Sequence, residues 1–162
     1  MSDVWDTTLA ARLYPGSEIE RAVSDRAAGG DPVALSAPTV HEVVRGLSLR
    51  AAGADPDHRF ANARVWFERL VHSDMVDVIP LDADAAVVAG RIRAREPHPG
   101  GRREGSKAEA RVSWVLDIQI AACAWVAGRT LVTANQRDFT RIATLIIEQF
   151  PGADSLEVRT SS

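Results

Sequence analysis

Short apolar runs alternate along this chain with longer segments in which apolar residues recur every three or four positions. The runs VALSA (33–37), MVDVIPL (75–81) and TLVTA (130–134) have the length and the β-branched content of buried strands. The longer segments have the spacing of amphipathic helices, and no internal repeat interrupts the alternation. This pattern predicts the α/β class, with a short central parallel sheet flanked by helices in three α/β/α layers.

Polar residues follow two of the predicted strands directly. The first strand, in VWDTTLAARL, is very short and ends at Asp6, and a helix follows at once with the hydroxyls of Thr7 and Thr8 as caps. The strand TLVTA ends before Asn135, and Asp138 begins the next helix. Because open parallel sheets bind ligands beyond the carboxyl ends of their strands, we expect the site at this edge.

Two further acids lie within predicted helices. In TVHEVVRGLSLRAA, four apolar residues share one helical face, and Glu42 falls in the first turn of that helix. A helix over about 108–127 is largely apolar and contains Asp117. The remaining helices are predicted after Ser17, over about 56–72, and after Asp82.

The composition is that of one ordinary globular domain. Of the 162 residues, 46% are hydrophobic and 25% are charged, which excludes general disorder and suffices for one core. No apolar stretch approaches the roughly 20 residues that a membrane span needs, and residues 1–6 lack the features of a signal peptide. We therefore expect one cytoplasmic domain over 1–162 that does not bind membranes.

Cys123 is the only cysteine of the chain. It excludes an internal disulfide and a zinc site built from several cysteines. Its position in the apolar run IAACAW predicts a buried side chain that packs like a small hydrophobic residue.

The charge of the chain is unevenly distributed. A formal net charge of −3 argues against a protein that coats nucleic acid non-specifically. The segment 91–111 is nevertheless locally basic, and the stretch EPHPGGRREGSK predicts a flexible loop at about 96–108 within the domain. This loop either contacts phosphate groups, whose oxygens suit arginine, or is a solvated loop that maintains solubility or binds an acidic partner. The candidate contacts are Arg102, Arg103, Lys107 and Arg111.

Four carboxylates lie at or near element boundaries, namely those of Asp6, Glu42, Asp117 and Asp138. Each has an ordinary interpretation as a turn residue, a helix-start charge or an exposed helix acid, and sequence spacing alone does not decide between these and a shared site. If the fold gathers them, the chemistry that suits them is metal-assisted hydrolysis of a phosphodiester. Mg²⁺ and Mn²⁺ prefer carboxylate oxygens, offset the repulsion between the acids and lower the pKa of an attacking water.

Other familiar motifs are missing from the sequence. His41 and Glu42 begin like a zinc-protease helix, but Arg45 occupies the position of the second histidine. Neither glycine pair, at 29–30 and 100–101, has the downstream pattern of a phosphate-binding loop or a dinucleotide fingerprint. The four carboxylates therefore remain the strongest candidates for chemistry.

The segments WDTT, TVHEVVRG, VLDIQIAACA and LVTANQRDF, in this order, resemble the PIN-domain nucleases, in particular the VapC-like and FitB-like toxins of bacteria. The resemblance spans residues 6–139 and is densest in the last two segments. It implies a single PIN-like nuclease domain in which the four acids bind Mg²⁺ or Mn²⁺. It also implies that Thr7, Thr133 and Asn135 lie beside the acids as hydrogen-bonding groups.

The resemblance further implies a metal-dependent endoribonuclease that hydrolyses RNA and is the toxin of a VapBC-type toxin-antitoxin pair. Its partners would be an RNA substrate, a cognate VapB-like antitoxin, and a second copy of the chain in a homodimer. Two alternatives stay open. One is a PIN-like module that binds RNA or protein without cutting, against which the retention of all four acids argues. The other is a PIN nuclease of RNA processing outside toxin-antitoxin systems.

Overall fold

A computed structural model describes residues 3–98 and 107–161. Within these residues the chain forms five strands and seven helices. The strands are β1 (Val4–Trp5), β2 (Val33–Ser36), β3 (Val76–Ile79), β4 (Leu131–Thr133) and β5 (Val158–Thr160). The helices are α1 (Thr7–Ala10), α2 (Glu18–Ala28), α3 (Ala37–Ala51), α4 (Arg59–Leu70), α5 (Ala83–Arg95), α6 (Lys107–Val126) and α7 (Gln136–Gln149).

All five strands belong to one parallel sheet in the order β3-β2-β1-β4-β5. The short strand β1 is central, and Trp5 lies between Leu35 of β2 and Val132 of β4. From β1 the chain first adds strands on one side and then adds β4 and β5 on the other. The boundary between β1 and β4 is therefore the switch point of the sheet, where open α/β folds leave a crevice at the carboxyl ends of the strands.

The sheet is covered on both faces, which confirms the predicted three-layer α/β/α class. Every residue of β2 is buried, as expected for a parallel strand between two helical layers. Successive residues of a strand point to opposite faces, so Ala34 packs with α5, α6 and α7, and Leu35 packs with α1 to α4. The hydrophobic runs of the sequence thus serve two cores, one on each face of the sheet.

Helix α1 begins differently from the prediction. Asp6, rather than Thr7 or Thr8, is the N-cap, and its side chain accepts a hydrogen bond from the backbone N–H of Leu9. Asp6 has extended backbone angles because it still continues β1, and a carboxylate is as good a cap as a hydroxyl. Its carboxylate is consequently fixed at the point where the strand turns into the helix.

Helix α3 begins earlier than predicted, and Glu42 therefore does not lie in its first turn. Ser36 caps the helix by accepting from the N–H of Thr39, and helix residues start at Ala37. Pro38 lies in the first turn, where the backbone N–H that proline lacks has no helical partner. Glu42 is consequently in the second turn, where its side chain reaches sideways toward α1 instead of toward the helix end.

Helix α6 is buried on more than one side. Ile118 and Ala122 face the core as predicted, but Trp114 and Ala121 are also fully buried because α6 packs against α3, α5 and α7. Its apolar composition is thus explained by packing within the domain. In the part of the chain that the structure describes, no helix combines the length and apolarity required to cross a membrane.

The basic loop predicted at about 96–108 lies mostly outside the described residues. Helix α5 ends at Arg95 and α6 begins at Lys107. Arg102 and Arg103 belong to residues 99–106, which are not among those described. Arg111, the fourth candidate for phosphate contact, lies in the second turn of α6 and is exposed.

Candidate active site

Asp6 lies at the carboxyl end of the central strand, at the switch point of the sheet. Its backbone N–H donates to the carbonyl of Val132 at 3.2 Å, which continues the pairing of β1 with β4 by one residue. Its side chain is buried, with only 2% of the residue exposed. A carboxylate in this position has lost most of its water and depends on the protein for hydrogen bonds.

The carboxylate of Asp6 accepts three hydrogen bonds, all from neutral groups. The hydroxyl of Thr8 donates to Oδ1 at 2.7 Å, and the N–H of Leu9 donates to the same oxygen at 3.1 Å. The hydroxyl of Thr133, at the end of β4, donates to Oδ2 at 2.5 Å. Asp6 forms no ion pair with any residue of 3–98 or 107–161. Among the residues that the structure describes, its negative charge is therefore stabilised by dipoles and not neutralised by an arginine.

The same two hydroxyls tie the turn between β4 and α7 to Asp6. The hydroxyl of Thr133 accepts from the N–H of Asn135 at 2.7 Å, and the hydroxyl of Thr8 accepts from the N–H of Ala134 at 3.4 Å. The side-chain amide of Asn135 in turn donates to Oδ2 of Asp138 at 2.9 Å. The network places Asp138, in the first turn of α7, at the same edge of the sheet as Asp6.

Glu42 is connected to the strand edge through Thr7. The Thr7 hydroxyl donates to Oε2 of Glu42 at 2.7 Å and so links α1 with the second turn of α3. Both side chains are half-buried. The structure thus brings Glu42 next to Thr7, which follows Asp6 directly in the chain.

Asp117 lies in the middle of α6, with 9% of the residue exposed. Helix α6 packs against α3, and Leu116 lines one groove together with Glu42. The sequence predicted Asp117 within a largely apolar helix, and its burial in the middle of α6 agrees with this prediction. This burial argues against the ordinary alternative of an exposed helix acid.

The donors at this edge suit a hard divalent cation in kind, but their arrangement is not that of a finished metal site. Carboxylate oxygens and hydroxyls are the groups that Mg²⁺ and Mn²⁺ prefer, and the buried charge of Asp6 has no cationic partner among the described residues. Within residues 3–98 and 107–161, however, no three His, Cys, Asp or Glu side chains are grouped so that they could hold one ion.

Two buried hydroxyl residues at the end of β2 were not predicted to belong to the site. Ser36 and Thr39 are both fully buried, and their hydroxyl oxygens are 2.9 Å apart. Strand β2 adjoins β1, so both residues lie at the same edge as Asp6. The sequence signal for them is the stretch Ser-Ala-Pro-Thr, in which a capping serine precedes a proline in the first helical turn.

Two grooves meet at Glu42 and Arg45. The first, which we call the basic groove, has a volume of about 560 Å³ and lies between α3, the end of α5 and the start of α6. Its charged walls include Arg45, Arg93 and Arg111, so the structure places the predicted contact Arg111 in the same groove as Glu42. The second, which we call the aromatic groove, has a volume of about 910 Å³ and lies between the turn after α1, α3 and α4. It includes Tyr14 and Phe60.

Cys123 is buried in the core, as its apolar surroundings predict. Burial, and to a smaller extent the negative charge of Asp82, raises the pKa of the Cys123 thiol to about 12. The thiol is therefore protonated at neutral pH and inaccessible. Cysteine nucleophilic chemistry is excluded for this residue.

Arg141 joins α7 to the end of α5. Its guanidinium donates to both carboxylate oxygens of Glu96 and lies 3.6 Å from the carboxylate of Glu148. The hydrogen bonding with Glu96 raises the pKa of Arg141. Glu96, the first residue after α5, is thus bound to α7 one turn beyond Asp138. The residues that follow Glu96 line the basic groove.

Solved structures with a similar fold come from several bacteria. One chain of the VapBC2 complex of Rickettsia felis, bound to a DNA fragment from its promoter, is 16% identical and has a TM-score of 0.61, with both chains covered over 100%. A chain of VapBC-1 from nontypeable Haemophilus influenzae is 18% identical with a TM-score of 0.60, over 99% of this chain and 98% of that one. A chain of FitAcB from Neisseria gonorrhoeae is 22% identical with a TM-score of 0.55, over 96% and 95%. Identities this low establish similarity of fold.

No curated protein sequence matches this chain. A family model does: the model described as "PIN domain" matches residues 4–145. The matched range begins in β1, covers Asp6, Glu42, Asp117 and Asp138, and ends within α7. The chain therefore belongs to the PIN-domain family, as the order of its four motif segments predicts.

Proposed function

We propose that this chain is a metal-dependent endoribonuclease and the toxin of a toxin-antitoxin pair. The observation that carries the proposal is the carboxylate of Asp6, which is buried at the switch point of the sheet and, within residues 3–98 and 107–161, hydrogen-bonded only by neutral donors. Burying an uncompensated carboxylate costs free energy, and a cation brought by a ligand would recover it. Because the chain belongs to a family of nucleases, the proposed function of that cation is to assist the hydrolysis of a phosphodiester.

The residues proposed to hold Mg²⁺ or Mn²⁺ are Asp6, Glu42 and Asp117, with Asp138 directly or through a water. When bound, the metal would lower the pKa of the attacking water and neutralise charge on the phosphate. Thr133 and Thr7 would orient the carboxylates of Asp6 and Glu42 through the hydrogen bonds described above. Groups that orient metal-binding carboxylates in this way support both affinity and activity.

The substrate proposed is single-stranded or loop RNA. The site is recessed at the edge of the sheet, and an unpaired strand presents its backbone there more easily than a duplex does. The basic groove beside Glu42 supports this choice, because Arg93 and Arg111 line it and arginine pairs well with phosphate oxygens. Arg102, Arg103 and Lys107 remain proposed RNA contacts.

The partners proposed are a VapB-like antitoxin and a second copy of the chain. The similar structures named above are described as VapBC2, VapBC-1 and FitAcB, and the first of them is bound to a DNA fragment. By analogy, the antitoxin would inhibit the site and the toxin would be a homodimer in the cytoplasm. Copurification with the product of an adjacent small gene, and the mass of the complex in solution, test both expectations.

Cleavage of a panel of RNAs by the purified chain, with Mg²⁺ or Mn²⁺ and with EDTA, tests the proposed activity. We expect metal-dependent cutting that Asp117→Asn abolishes. Asp25→Asn, which changes an exposed acid of α2, is the matched control and should cut normally. A second readout does not need activity: Mg²⁺ or Mn²⁺ should raise the melting temperature of the wild-type chain more than that of Asp117→Asn.

One observation favours a second candidate, a PIN module that binds RNA or protein without cutting. Among the described residues, no three acids are grouped to hold an ion. A folded chain that binds RNA or a partner, does not cut with either metal, and shows no melting shift with metal would establish this candidate. It would contradict the nuclease proposal.

A further inference from the structure

We propose that the aromatic groove holds a single-stranded segment of the RNA substrate beside the scissile phosphate. One base stacks on Tyr14, and backbone phosphates contact Arg50 and Arg59. This inference rests on the proposed function, because it names a binding subsite for the RNA that the site would cut. It adds Tyr14, Arg50 and Arg59, which neither the sequence motifs nor the four carboxylates indicate.

The groove is continuous with the candidate active site. Thr7 and Glu42, which are joined by a hydrogen bond, form part of its wall, and Arg45 lies on both this groove and the basic groove. An RNA strand that leaves the basic groove and passes Glu42 would therefore enter the aromatic groove directly. With a volume of about 910 Å³, the groove accommodates more than one nucleotide.

Tyr14 offers a free aromatic surface within this groove. Tyr14 has a large side chain that lines the groove and is nevertheless 56% exposed. It lies on a turn that is held in place by its own contacts. The N–H of Ser17 donates to the carbonyl of Tyr14 at 3.1 Å, and Gly16 completes the turn with a φ of +77° that few other residues adopt. An exposed ring on a rigid turn suits the stacking of an unpaired base, which any nucleobase can provide.

Helices α3 and α4 contribute to the groove two arginines whose charge is available to a ligand, Arg50 and Arg59. The guanidinium of Arg59 lies 4.8 Å from the centre of the Phe60 ring, and that of Arg50 lies 5.7 Å from it. Stacking on one ring restrains both guanidinium groups. In the described part of the chain, neither arginine forms an ion pair.

This combination favours RNA over a purely apolar peptide helix as the occupant. Three arginines and two acids line the groove, namely Arg45, Arg50, Arg59, Glu42 and Asp57. Its charge is thus positive on a protein whose net charge is −3. Positive charge interleaved with aromatic rings is the arrangement by which proteins bind single strands without strong sequence preference.

The test measures binding of a fluorescein-labelled, mixed-sequence single-stranded RNA of roughly a dozen nucleotides in EDTA, so that no cleavage is required. Tyr14→Ala should weaken binding about five- to a hundredfold, as expected for the loss of one stacked base. Tyr14→Phe should bind like the wild type, because stacking uses the ring and not the hydroxyl. All variants should melt like the wild type, since the changed side chain is exposed.

The arginines have a different signature. Arg50→Gln and Arg59→Gln should each lower the slope of log affinity against log salt concentration by about 0.7, the value for one lost phosphate contact on a single strand. Tyr14→Ala should leave this slope unchanged. Arg21→Gln, an exposed arginine of α2 that lines neither groove, is the matched control and should change neither affinity nor slope.

The results separate this inference from the proposed function. If Tyr14→Ala and both arginine variants bind RNA like the wild type, the subsite is wrong, even where the chain cuts RNA with metal and the nuclease proposal stands. If these variants keep RNA binding but lose a copurifying antitoxin, the occupant is a protein and the inference is overturned. Loss of RNA binding by the variants supports it whether or not the chain cuts RNA.

Discussion

Strand β1 has an aspartate at each end, and the two acids have opposite surroundings. Asp3, before the strand, pairs with Arg26 at 3.3 Å and also with Arg159. Asp6, after the strand, is bonded by two hydroxyls and one backbone N–H, and none of its described neighbours is a cation. The two residues are three positions apart and are separated only by Val4 and Trp5.

The difference shows which kind of acid is available for chemistry. The charge of Asp3 is already neutralised, and its pairs join the end of α2 and the edge strand β5 to the centre of the sheet. The carboxylate of Asp6 is oriented by hydrogen bonds but has no neutralising partner in the described part of the chain, so its charge can still attract a cation. An acid bound by neutral donors at the carboxyl edge is therefore the functional candidate, and an acid bound by arginines at the amino edge is a structural one.

The sharpest test of this contrast changes each aspartate to asparagine. Asp6→Asn should lower RNA cleavage by more than about a hundredfold, because the proposed metal site supplies several kcal/mol of transition-state stabilisation. Asparagine is also a good N-cap, so α1 and the fold should be retained. Asp3→Asn should cut RNA at the wild-type rate. Equal losses in both variants, measured as initial rates with Mn²⁺, would contradict the contrast.

A smaller effect is expected from the hydroxyl that orients Asp6. Thr133→Val removes the donor to Asp6 and the acceptor for the N–H of Asn135 at a fully buried position. We expect cleavage to fall about 10- to 100-fold and the free energy of unfolding to fall by about 1–3 kcal/mol. Thr133→Ser keeps the hydroxyl and should restore most of both. Urea denaturation and cleavage rates check this, and unchanged values would mean that the 2.5 Å contact contributes little.

The smallest effect is expected at the amino edge. Asp3→Asn should lower the free energy of unfolding by no more than about 1 kcal/mol, because the side chains of Arg26 and Arg159 are 31% and 51% exposed. High salt should reduce this difference, since it screens exposed charges. Urea denaturation at two salt concentrations measures it. A large difference that salt leaves unchanged would show that Asp3 is held more like Asp6 than the structure indicates.

The periodicity of apolar residues predicted the succession of strands and helices well. The runs VALSA, MVDVIPL and TLVTA each contain a strand, and the capping roles of Ser17 and Asp82 are confirmed. Helix α7 begins at Gln136, two residues before the predicted start at Asp138. Two other boundary errors occurred where one residue has two roles. Asp6 both ends a strand and caps a helix, and Ser36 does the same before α3, so each boundary lies one or two residues from the predicted place.

The candidate site was predicted in part. The resemblance named the four acids, and the structure brings Asp6 and Asp138 to the ends of one hydrogen-bonded network that includes Asn135. Sequence reasoning missed Ser36, which lies at the same edge only because β2 pairs with β1. It also gave Thr8 no part beyond capping, although the Thr8 hydroxyl donates to Asp6.

The sequence by itself determined the fold class, because hydrophobic periodicity and local capping act over a few residues. The family followed from the resemblance of the four motif segments and not from periodicity. Only the tertiary structure decided which acids are compensated. Asp3 meets Arg159 across 156 positions of chain, and Asp6 meets Thr133 across 127. Strand order determines such contacts, and no local pattern encodes whether a carboxylate at the end of a strand will face an arginine or a hydroxyl.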